Sequence, residues 1–163
     1  MKTTGMKVPG KRSQRGIVLL DALIAIVIFS IGILGMVSLQ GAAVKLASDA
    51  QYRTNAAMLA DQIITQMWTG NVTGAADLAT AYAGSGGTGG AQYTAWLNTI
   101  DCSAAHPSTN CLPGVTATAN APVITIVPNP AYPKDALVTV TVNWQAPNDT
   151  GPHNYVSITQ IGP

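Results

Sequence analysis

Residues Ile17 to Leu39 form a run apolar enough to cross a membrane that carries a single charge, the carboxylate of Asp21. From Ala22 to Leu39 there are eighteen residues without a charge, close to the minimum for a spanning helix. The apolar core of a cleaved secretory signal is about 7–15 residues, so the run is long for a signal and adequate for an anchor. Whatever else the chain folds into, these residues need lipid or other apolar surface around them.

The charges are sorted along the chain. Five of its eight cations (Lys2, Lys7, Lys11, Arg12, Arg15) precede Ile17, whereas all seven aspartates follow Gly16. Without residues 1–16 the formal charge changes from +1 to 3 − 7 = −4. The basic segment reads as an address that orients the chain, because Lys and Arg favour the cytoplasmic side of a membrane. A distal body of net −4 has no electrostatic footprint for nucleic acid, and no direct nucleic-acid binding is expected.

Nothing stops the helix at Gln40. From Ala42 onward Leu46, Ala50, Ala57, Ala60, Ile64, Met67 and Trp68 recur at steps of three and four, with Lys45, Asp49, Arg53 and Asp61 between them. No proline falls between Gly10 and Pro107, and the first good stop is Gly70 with Asn71. The pattern predicts one helix from about Ile17 to Thr69, on the order of 80 Å long. Gly32, Gly35 and Gly41 interrupt it, as sites of close packing between helices or as points where the helix bends or melts.

Beyond the helix comes a region of turns, then AGSGGTGGA (Ala83–Ala91), read as a flexible connection; it lacks the lysine of a phosphate-binding loop. Tyr93, Trp96, Leu97 and Ile100 are spaced for a short helix. The period then changes to two. Val138, Val140, Val142 and Trp144 alternate with Thr139, Thr141 and Asn143, and Val156 and Ile158 alternate with Ser157 and Thr159. PVITIVP (Pro122–Pro128) is a third short strand. These predict a small antiparallel sheet whose Val/Ile face is covered by the apolar stripe of the helix, an α+β fold of helical stick and compact head. The predicted organisation is 1–16 basic leader, 17–40 membrane and assembly helix, 41–70 its amphipathic continuation and 71–163 head, with strands near 122–128, 136–144 and 154–160.

Candidate chemistry is sparse. There is no glutamate, and His106 and His153 each adjoin a proline. Cys102, Cys111 and His106 fall short of the four ligands of a structural zinc site, so no metal or cofactor is expected. The two cysteines either pair, closing a ten-residue loop for about 2.5–3 kcal/mol, or remain free thiols; a Cys–His nucleophile is a weaker reading. No enzymatic activity and no small-molecule substrate are expected.

Asp21 has two readings. An acid near a helix N-terminus complements the helix dipole, worth about 0.3–1 kcal/mol. Alternatively, cleavage between Gly16 and Ile17 would leave an amino group on an apolar helix end, costly to bury when helices bundle. Asp21, one turn on, neutralises that amine in its own chain or in a neighbour.

A basic leader, Gly16, then an apolar helix with an acid at its fifth residue resembles the type IV prepilin and pseudopilin N-terminus. IGILGMVSLQ (Ile31–Gln40) is similar to the corresponding run of the PilV minor pilins, or type IV pilus modification proteins, as, more loosely, are CLPG and VTVTVNWQ. Ile17 stands where the family commonly has Phe, and Asp21 where it commonly has Glu. The resemblance implies a pilin-like lollipop cleaved after Gly16 and methylated on Ile17 by a prepilin peptidase. It implies a single-pass inner-membrane subunit with its head in the periplasm, then assembly with other major and minor pilins at the cell surface, serving adhesion or twitching motility. A pseudopilin of a type II secretion system shares the same N-terminus. A reading from another class is a membrane-anchored extracytoplasmic binding domain, with Gly41–Ala43 as a poor signal-cleavage site and a start at Val44.

Overall fold

The computed structural model describes residues 15–70, 73–103 and 111–162. Most of the basic leader and His106 lie outside the described residues. The fold is α+β: a long N-terminal helix and a small antiparallel sheet, in the order α1 (Arg15–Thr69), α2 (Ala75–Tyr82), β1 (Gly84–Ser85), β2 (Thr88–Gly89), α3 (Ala91–Ile100), β3 (Val123–Pro128), β4 (Ala136–Trp144) and β5 (His153–Ile161). Two compact units divide the chain, Met1–Lys45 and Leu46–Pro163, with α1 contributing to both.

In the second unit the sheet order is β2-β1-β3-β4-β5, every neighbour antiparallel. Strand β4 supplies the centre of the core. Val138, Val140, Val142 and Trp144 point inward beside Ile124 of β3, and all are buried. Ala56, Leu59, Ala60, Ile63 and Met67 of α1 join the same core, with Tyr52 and Ile64 at its margin. The buried stripe of the helix is thus rotated from the one expected. Leu46 and Trp68 are exposed, and so is Ala50, while Ala57 is half-buried. Alanines ring this part of α1, so the apolar period has little contrast, and the larger Leu59 and Ile63 decide which side turns inward.

Strand β5 also departs from expectation. Tyr155, Ser157, Thr159 and Ile161 share the inner face, whereas Val156 and Ile158 point outward and are 47% and 63% exposed. Register is the cause: Val138 pairs with Thr159 and Val140 with Ser157, and paired residues lie on one face. Burying four large side chains of β4 outweighs exposing two of β5.

The region expected to be turns contains α2, which buries Ala75, Leu78 and Tyr82. The glycine-rich stretch, expected to be a flexible connection, forms the β1–β2 hairpin at the sheet edge. Its turn places Gly86 and Gly87 at φ 56° and 80°, the left-handed pair that a two-residue type I′ turn requires. Flanking Gly84 and Gly89 let the buried ring of Tyr93 lie against the backbone: a Cβ at Gly84 would stand 2.4 Å from that ring. The Tyr93 hydroxyl donates to the Pro122 carbonyl at 2.8 Å. Burial pushes its phenol above the ordinary value, partly offset by a backbone hydrogen bond from Gly87.

Helix α3 carries Tyr93, Trp96, Leu97 and Ile100 into the core at the expected spacing. It ends at Asp101, whose Oδ1 accepts from the Ser103 amide at 2.7 Å.

Candidate functional site

The Met1–Lys45 unit is described from Arg15 onward, and its helix is already formed there. This segment is long and apolar enough to cross a membrane, with a mean hydropathy of 2.9 over its most apolar window and none of that window buried. Phe29 is 70% exposed and Leu39 73%. An apolar surface of that length is incompatible with water and marks a membrane or an assembly contact. Within it the Ser30 hydroxyl is closed off by donating to the Ile26 carbonyl at 2.7 Å.

Within this helix Ile17 and Asp21 are separated by four residues, one turn, and so lie on one face. Asp21 is exposed and forms no ion pair with another described residue. Asp21 is the seventh residue of the described part of α1, which starts at Arg15. An amine at Ile17 would stand one turn from the carboxylate. Among the described residues, a Cβ on Gly16 would meet nothing within 4 Å. The helix continues unbroken through Gly32, Gly35 and Gly41, where an added Cβ would also meet nothing.

Cys102 and Cys111 form a disulfide, their Cα atoms 5.1 Å apart. The ends of the loop are held independently. The Cys102 amide donates to the Val115 carbonyl and the Leu112 amide to the Ile100 carbonyl, each at 3.2 Å, with Leu112, Val115 and Ile100 fully buried. Neither sulfur is left as a nucleophile or a zinc ligand. Among the described residues no group of three His, Cys, Asp or Glu side chains could hold a metal. His153 stacks on Trp144, with ring centroids 5.9 Å apart, and its Nε2 lies 3.0 Å from Asp149.

One feature escaped sequence reasoning. Between the C-terminal part of α1 and α3 runs a groove of about 370 Å³, lined by Gln62, Gln66 and Thr69 on one side and Gln92, Trp96 and Thr99 on the other. Glutamines and threonines at helical spacing look like ordinary solvated faces, so only their opposition in space makes them notable. Compared with known proteins, the chain matches no family model, and no curated protein or solved structure matches it.

Proposed function

We propose that this chain is a minor pilin: an inner-membrane subunit that takes part in assembly of a type IV pilus, priming or modifying the fibre. The observation that carries the reading is the placement of Gly16–Ile17 and Asp21 one turn apart on a helix whose most apolar window is wholly exposed. In this reading a prepilin peptidase cuts after Gly16 and methylates the new amine of Ile17. Residues 17–40 hold the subunit in the bilayer, and the disulfide-closed second unit lies in the periplasm, an oxidising compartment. On assembly the helix exchanges lipid for neighbouring helices. Each amine entering that apolar bundle then needs a counter-charge, and Asp21 supplies one in its own chain or the next. Adhesion or twitching motility would follow from the pilus, not from chemistry performed by this protein.

N-terminal peptide mass spectrometry on the protein from native membranes and sheared filaments tests the proposal. A chain beginning at N-methyl-Ile17 and present in the filament fraction is the expected result. A start at Met1 or near Val44 would overturn it. Processing at Ile17 with the protein confined to membranes, and secretion lost on its deletion, would reassign it to a secretion pseudopilus.

A further inference from the structure

We propose that the open edge of β5 takes up an extended, uncharged segment of another protein as a further strand of the sheet. The inference does not depend on the pilus reading. Its starting point is the strand order: β5 ends the sheet, and among the described residues its backbone makes no hydrogen bond except those of its ladder with β4. One row of N–H and C=O groups along His153–Ile161 therefore faces away from the protein.

Such an edge is a template for pairing, and natural edges are blunted by a short strand, a lysine, a proline or a bulge. β5 has none of these. It runs for nine residues, its register with β4 is unbroken from Trp144 opposite His153 to Ala136 opposite Ile161, and HNYVSITQI holds no proline, lysine or acid.

The side chains state what the added strand is. Asn154, Val156, Ile158 and Gln160 share the outer face of the sheet, and Val156, Ile158, Leu137 and Val127 are each about half exposed or more. Apart from the ring of His153, no side chain of β3, β4 or β5 can carry a charge at neutral pH. A charged strand would lose hydration against that face without finding a counter-ion. A strand with apolar side chains at two alternate positions would cover Val156 and Ile158, and uncharged polar ones at its ends would meet Asn154 and Gln160. In this mode main-chain bonds supply the affinity and alternate side chains the selectivity.

A second copy of the chain fits the edge poorly. Trp144 and His153 border a groove with Asp49 and Arg53, whereas Ile161 borders another with Met67 and Trp68, so β5 runs alongside α1 in the same direction. An antiparallel copy on β5 would carry its α1 reversed, yet chains inserted in one bilayer by α1 all run the same way. The strand at the opposite edge of the sheet, β2, is two residues long and gives a parallel copy little to pair.

The test uses the full chain, ²H,¹⁵N-labelled, in phosphocholine micelles. The probe is acetyl-NTVTVTQ-amide, which has the complementary pattern, and acetyl-NTKTKTQ-amide, with a cation at each apolar position, is the comparison. In the free protein alternate amides of β5 should exchange quickly with solvent and the intervening ones, bonded to β4, slowly. The first peptide should shift β5 resonances saturably, at a dissociation constant on the order of 1 mM or tighter, and slow the fast set about tenfold when about nine-tenths bound. The second should do neither. Ile158→Lys, at a position 63% exposed, adds the kind of charge that blunts natural edges, and should weaken binding at least about fivefold while the slow amides stay protected. No saturable shift, a shift away from β5, equal binding of the two peptides or unchanged affinity in Ile158→Lys would overturn the proposal. Slow exchange of every β5 amide before peptide is added would mean that the edge is already covered. Shifts in β5 that follow protein concentration alone would give the edge to a second copy, and either result also overturns the proposal.

Discussion

Asp21 is exposed and forms no ion pair with another described residue, so in an apolar bundle its counter-charge has to come from outside the described residues. In the proposed role charge matters at this position and side-chain length matters less. Asp21→Asn keeps the size and removes the charge, leaving the Ile17 amine of each packed subunit without a counter-ion. Its abundance in sheared filaments, read by immunoblot against the membrane fraction, should fall at least about fivefold, a cost of roughly 1 kcal/mol per subunit and well within that of an unpaired buried charge. Asp21→Glu lengthens the reach by one methylene and should incorporate at least as well as the parent, with membrane levels of both variants unchanged. Equal incorporation of the Asn variant would remove Asp21 from the assembly step. This position was legible in the sequence because a lone charge in an apolar run needs no tertiary information to be noticed. The open edge of β5 was not, because strand order is a relation among segments distant in sequence.

At the scale of the element, period and face are separate pieces of information, and the sequence carries the first more reliably than the second. Alternation located β4 and β5, yet the outward placement of Val156 and Ile158 follows from their pairing with Thr141 and Thr139, a relation between strands. The stripe of α1 shows the same limit: Ala56, Ala57 and Ala60 leave its apolar side ill-defined until the sheet is present to select Leu59 and Ile63. The glycine-rich hairpin was hidden for another reason. Composition suggests flexibility, whereas Gly84 and Gly89 are small so that the Tyr93 ring can approach. A pair of isoleucines separates the two faces experimentally. Ile63→Ala opens a cavity in the core and should lower unfolding free energy by about 2–5 kcal/mol. Ile158→Ala removes a side chain that is 63% exposed and should change it by no more than about 0.5 kcal/mol. Urea midpoints of the full chain in one detergent, compared at constant slope, give both values. Similar losses for the two would place Ile158 under cover.

Across the whole molecule the governing fact is the distribution of charge, which is fully legible in sequence. Five cations sit in the first sixteen residues and the remainder carries a formal −4, so the uncut chain has a net +1 and an isoelectric point of about 7.8 only because of its leader. Those five charges favour retention at the cytoplasmic face of a membrane, and the same charges oppose side-by-side packing of helices, since every subunit would bring all five to the same level of a bundle. In the proposed role, removal of the leader is therefore an electrostatic precondition for assembly as well as the step that creates the Ile17 amine. Each form has one terminal amine, so the side-chain count alone sets the difference: loss of five cations with all seven aspartates retained moves the isoelectric point downward, into the acidic range. Isoelectric focusing in urea should show the filament-associated protein at an acidic position and the protein from peptidase-deficient cells near 7.8. Filament protein focusing at the higher value would mean that the leader is carried into the fibre, and Asp21 would then have no amine at Ile17 to pair with.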